Sequence, residues 1–90
     1  MTDFFDNLEP ETAAEIDQLS RLIYELRENR NAVLRPYGAE DGEALLLKIQ
    51  GGTVAEHPAY EHYLAARILA DTRETVRAAV AERLKEINRT

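Results

Sequence analysis

The sequence predicts an all-α fold, an elongated antiparallel hairpin of a long, a short and a second long helix that dimerises into a helical bundle. Three observations carry this. From His57 to Asn88 the chain has one proline, at the start, and no glycine. From Glu9 to Arg35 the apolar residues recur at three-four spacing between Pro10 and Pro36. All four glycines fall between these two stretches, at 38, 42, 51 and 52, where turns are needed.

Residues 1–8 are expected to form a short apolar arm with Phe4, Phe5 and Leu8, packing back on the bundle like a hydrophobic staple. The first helix is expected over 9–35. Pro10 suits the first helical position because its missing N–H would be unpaired there anyway, and Glu11 and Glu15 favour the positive end of the helix dipole. Ile16, Leu19, Ile23, Leu26 and Val33 make a heptad seam in which Arg30 takes a slot. Asp17, Arg21 and Glu25 form a charge ladder one turn apart. Pro36 disfavours helical geometry at Arg35 and ends the helix.

The connector holds a short helix, expected over 41–51. Asp41 is its N-cap and Gly51 its stop, around Leu45, Leu46, Leu47 and Ile49. A buried strand is the alternative for 43–50, since a short apolar run fits both, but a lone strand would lack a partner. Thr53 to His57 then links into the last helix, with His57 as its cap residue.

The last helix is expected over 57–88. After Pro58 come Ala65, Ala66, Ala70, Ala78, Ala79 and Ala81, interleaved with Leu, Glu, Arg and Lys, all good helix formers. At 1.5 Å per residue it would span roughly 46 Å, whereas a compact chain of this length has a radius of gyration of about 12 Å. Its large apolar residues fall on two faces. Tyr60, Leu64 and Ile68, with Tyr63 at the edge, share one; Leu69, Val76, Val80, Leu84 and Ile87 share another, rotated by roughly 120°. Either the seam drifts around one core or the helix has two neighbours.

Composition narrows the functional classes. The 90 residues make one domain, near the size where a single core barely suffices, and thirteen of the hydrophobic residues are alanine. Association is a natural remedy. The absence of cysteine excludes disulfides, thiol catalysis and thiolate metal sites. The first six residues carry acids where a signal peptide needs bases, and no apolar run approaches membrane-spanning length, so a cytoplasmic protein is expected. The net charge is −6. Residues 1–36 carry eight acids against four bases, 37–56 four against one, and 57–90 five against six. Such a chain is poorly suited to nucleic acid or anionic membranes. Arg67, Arg73, Arg77, Arg83, Lys85 and Arg89 on the last helix read as a solvated face, with Asp71 one turn from Arg67 as its partner.

Two constellations bear on chemistry. Glu56, His57, Glu61 and His62 crowd the start of the last helix, and His57 and Glu61, one turn apart, could both reach one metal ion. The competing reading is exposed polar residues flanking a cap. On the first helix, Ile16-Asp17, Leu19, Ile23, Leu26 and Arg30 stand at fixed spacing, and this stretch of about fifteen residues resembles the first helix of the AroQ-type chorismate mutases. That family is built from a long, a short and a long helix in a dimer. The resemblance implies that Arg30 helps clamp a dicarboxylate substrate, whose rearrangement is driven by conformational restraint and electrostatics. The chain departs from the pattern further on. Arg35-Pro36 stands where a lysine is expected, and Asp41-Gly42-Glu43 has no arginine beside it.

The residues themselves show no Ser/His/Asp arrangement, no phosphate loop and no zinc-type cluster, and no catalytic residue or cofactor is assigned. The function they predict is a dimeric protein–protein interaction or regulatory module, binding a second copy and a partner protein but neither nucleic acid nor membrane. Its interface residues are Phe4, Phe5, Tyr60, Tyr63, Leu64, Ile68, Val76, Val80, Leu84 and Ile87, since aromatic and aliphatic anchors carry interfaces. A chorismate mutase-type or anion-binding protein using Arg30, and a metal-binding bundle using His57 and Glu61, are the alternatives.

Overall fold

A computed structural model describes residues 9–89, so the expected arm with Phe4, Phe5 and Leu8 lies outside the described residues. Helix α1 runs Pro10–Leu34, with Pro10 opening it and Glu9 in extended geometry before it. The Ala13 amide donates to the Glu9 carbonyl at 2.9 Å, which starts the ladder. The helix ends just short of the expected boundary, and Arg35–Tyr37 tighten into a single 3-10 turn. Arg35 itself keeps helical dihedrals, φ −55 and ψ −44. Pro36 therefore acts here through its missing N–H, which leaves an α-helical bond unmade, rather than by displacing its neighbour. Gly38, at φ 62, closes the turn with its N–H on the Arg35 carbonyl, a backbone conformation that other residues resist.

Helix α2 runs Gly42–Gln50, so the apolar run is a helix and not a strand. Asp41 caps it, its Oδ1 accepting from the Ala44 amide at 2.8 Å. At the other end the Gly51 amide reaches the Leu47 carbonyl at 2.9 Å and the Thr53 amide the Lys48 carbonyl at 2.9 Å. The left-handed residue of this turn is Gly52, φ 74, rather than Gly51. Lys48 Nζ donates to the Tyr37 carbonyl at 2.8 Å and fastens α2 to the 3-10 turn.

Helix α3 runs Glu56–Arg89, interrupted by His57 at φ −112 and ψ 123. The His57–Pro58 bond is cis, and the regular helix begins at Pro58. The His57 side chain lies along the first turn, with Nδ1 2.8 Å from Glu61 Oε1. α1 and α3 run antiparallel: Glu15 near the start of α1 meets Arg83 near the end of α3 at 3.7 Å. The molecule measures 55 × 21 × 19 Å with a radius of gyration of 17.8 Å, well beyond the ~12 Å of a compact chain. Among the described residues no helix is long and apolar enough to cross a membrane.

The core sits where three helices meet. Leu34 of α1, Leu45 of α2, and Ala59 and Ala66 of α3 are buried together, flanked by Val33, Tyr37, Ala39, Ile49, Val54 and Tyr63. Further along the α1–α3 pair, Ile16 and Leu26 are the buried hydrophobics. This settles the face of α3. Its fully buried positions in the first half are the alanines 59 and 66, with Tyr63 and Leu69 half-buried beside them, and they continue the line of Val76, Val80, Leu84 and Ile87, which are half-buried on the side toward α1. There is one inward face along the whole helix, and the four residues expected at an interface belong first to the intramolecular seam. Tyr60, Leu64 and Ile68 point the other way and are 43%, 38% and 64% exposed.

Candidate functional site

A cleft of about 530 Å³ opens where α1, the start of α2 and the first half of α3 converge. Arg30 enters from α1; Asp41, Gly42 and Glu43 from the start of α2; Tyr63, Ala66, Arg67, Ala70 and Asp71 from α3. The cleft exists because Gly42, Ala66 and Ala70 put almost no side chain where a larger residue would fill the space. A Cβ added at Gly42 would lie 3.7 Å from the Tyr63 ring, in ordinary contact. Glycine and alanine here set the depth of the cleft.

Arg30 reaches the cleft through its heptad slot. Its stem is half-buried in the α1–α3 seam, Nε is shut off from solvent without a hydrogen-bond partner, and Nη2 approaches Asn31 Oδ1 at 3.4 Å. Arg73 and Arg83 also carry a covered Nε, so this is how the half-buried arginines of the pair sit, stems inward and heads outward. Of these three, Arg30 lines the cleft. The expected pairing of Arg67 with Asp71 is not made: among the described residues neither joins an ion pair, and Arg30 has none with Asp41, Glu43 or Asp71. Elsewhere the solvated pairs do form, Arg21 with Asp17 at 3.3 Å, Arg77 with Glu74 at 3.6 Å and Lys85 with Glu82 at 3.6 Å. The cleft thus holds opposite charges facing one space without neutralising each other.

The other sequence-predicted sites fare differently. His57 and Glu61 are brought together, both strongly exposed, but directly on each other. His62 turns away from them and hydrogen-bonds through Nδ1 with the Tyr37 hydroxyl. Among the described residues no group of three or more His, Asp or Glu side chains is placed to hold a metal ion. Tyr60 and Tyr63 have ring centroids 5.8 Å apart, linking the exposed stripe to the wall of the cleft. Arg67, Asp41, Glu43 and Asp71 were not legible as one site. The signal that marks it is small residues beside unpaired charges, spread over three distant segments.

Fold and site together define a small, elongated all-α protein with a mixed-charge cleft at its three-helix end and an exposed apolar stripe beside it. The chain belongs to the Uncharacterized protein MJ0235 family, whose model matches residues 14–89. That span takes in every residue of the cleft and of the stripe. No curated protein and no solved structure matches the chain.

Proposed function

We propose that this protein is a self-associating helical interaction module, in which a second copy covers the outward stripe of α3 and the dimer then engages a partner protein. The observation that carries this is the placement of Tyr60, Leu64 and Ile68. Large apolar side chains occupy the solvent face of α3 while Ala59 and Ala66 occupy its core face. Among the described residues Leu34 and Leu45 are the largest fully buried side chains, a small core for three helices. Fully burying a leucine or isoleucine from open solvent stabilises by about 1.5–3 kcal/mol. Tyr60, Leu64 and Ile68 are 43%, 38% and 64% exposed, so covering them recovers roughly half of that per residue, still a useful increment against the 5–15 kcal/mol or so that holds a domain together. Stripe and α1 seam lie on opposite sides of α3, so association need not disturb the hairpin. The test is sedimentation equilibrium at micromolar concentration: a dimer or larger species is expected, and a clean monomer with a cooperative melt overturns the reading.

The resemblance to chorismate mutases supports a second reading, anion binding at Arg30, because Arg67 joins Arg30 at the cleft. The same cleft carries Asp41, Glu43 and Asp71, three carboxylates against two guanidinium groups, a balance that disfavours a dianion. Titration with chorismate is expected to give no heat and no loss of chorismate absorbance. Saturable binding that disappears in Arg30→Leu would establish the anion site instead.

A further inference from the structure

We infer that the cleft between the three helices binds a small zwitterion of dipeptide size, its carboxylate held by Arg30 and Arg67 and its ammonium by Asp41, Glu43 and Asp71. Three observations converge on this class. The first is size. At about 530 Å³ the cleft falls in the middle of the range occupied by small-molecule sites, larger than a single ion or water cluster needs.

The second is the arrangement of charge. Cations and anions at helical spacing ordinarily satisfy one another, as Asp17 and Arg21 do at 3.3 Å. Arg67 and Asp71 have the same spacing and do not pair, and Arg30 stands apart from all three acids. Both signs therefore face the cleft with free valence. A dianion meets the carboxylates, a dication meets the arginines, and a molecule carrying one ammonium and one carboxylate satisfies both sets. Asp41 spends one oxygen on the Ala44 amide, which fixes its carboxylate and leaves the second oxygen for an ammonium. The guanidinium groups present paired donors that match a carboxylate.

The third is what lies between the charges. Gly42, Ala66 and Ala70 and the half-buried Tyr63 ring offer no hydrogen-bonding side chain along the floor apart from the tyrosine hydroxyl. The body joining the two charged ends of the ligand is accordingly uncharged and compact. One chain supplies every wall of the cleft, so this inference stands whether or not the protein self-associates.

The experiment is calorimetric titration of the full chain with three probes: the dipeptide Ala-Leu, its N-acetyl form, which keeps only the carboxylate, and its C-terminal amide, which keeps only the ammonium. Ala-Leu is expected to bind with one site per chain, and each blocked form about tenfold more weakly or worse, the usual loss for a charged hydrogen bond. Two variants at exposed positions, Arg67→Gln and Asp71→Asn, keep the fold, which their unchanged melts confirm. In Arg67→Gln the preference for Ala-Leu over its amide shrinks; in Asp71→Asn the preference over the acetylated form shrinks, as coupling between contacting groups requires. Absence of saturable heat with Ala-Leu overturns the inference. So does equal binding of the acetylated form, which would mark an anion site, or of the amide, which would mark a cation site.

Discussion

The two ends of the helical pair solve the same packing problem with different means. At one end α2 lies across α3, and Leu34, Leu45, Ala59 and Ala66 are almost wholly out of solvent. At the other end, among the described residues, α1 and α3 have only each other, and Val76, Val80, Leu84 and Ile87 remain half-exposed although they are larger than the buried alanines. Two helices in contact can cover only a stripe on each; a third closes the groove between them. Burial here is set by how many helices meet at a point and only secondarily by how apolar the residue is. The three-helix end is also where the charges of the cleft and the outward stripe are found, so the best-anchored part of the molecule carries its candidate sites.

The comparison is broken most sharply at Leu45, fully buried between α2 and α3. Leu45→Ala is expected to cost about 2–5 kcal/mol, the range for leucine truncation in a closed core, read by urea denaturation. At the two-helix end Val80→Ala, where the side chain already meets water, should cost about 1 kcal/mol or less. Equal costs at the two positions would show that the ends are packed alike. Arg30→Leu probes the boundary between them. It removes a donor covered without a partner, so the variant should match the wild type or gain about 1 kcal/mol, measured by the same denaturation.

The smallest effect is expected at Tyr24, on the exposed side of α1. Its hydroxyl donates to Glu28 Oε1 at 3.0 Å, and that hydrogen bond, followed by the charge of the same carboxylate, raises the phenol above its ordinary range. A raised phenol contributes below the unfolded pKa and loses its contribution as pH climbs through the folded one. The pair is exposed, so Tyr24→Phe should lower the melting temperature only marginally at neutral pH, and the difference from the wild type should vanish as pH climbs through the folded phenol's pKa. Absorbance titration of the wild type should place the Tyr24 phenol above that of a free tyrosine, and a value at or below it would contradict the assignment.

Much of the helix layout was legible because proline and glycine act locally. Pro10, Pro36, Asp41 and Gly51 mark ends whose chemistry involves only near neighbours. In the second half of α3 the inward face was legible from Val76, Val80, Leu84 and Ile87; in the first half it was not, because hydropathy ranks Tyr60, Leu64 and Ile68 above Ala59 and Ala66. Ala59 and Ala66 are buried because Leu34 of α1 and Leu45 of α2 close over them, and this depends on tertiary contact. Arg30 could be singled out from its seam position. The cleft around it could not, since it joins residues 30, 41–43 and 63–71, which become neighbours only when the hairpin closes. The assumed Arg67–Asp71 pair failed for a related reason: helical spacing permits a pair but does not oblige two side chains at a cleft to meet.

If the outward stripe of α3 is covered by a second copy, folding and association are linked, and the melting temperature must rise with protein concentration. Thermal melts of the wild type and of Ile68→Glu, followed by circular dichroism across a hundredfold range of concentration, test this directly. The wild type should melt higher as concentration increases, while Ile68→Glu, which puts a charge into the stripe without touching the three-helix core, should melt lower and at one temperature throughout. A wild-type melting temperature that is high, cooperative and independent of concentration would contradict the account, because the thin core would then be sufficient by itself and the stripe would have no second copy to cover it.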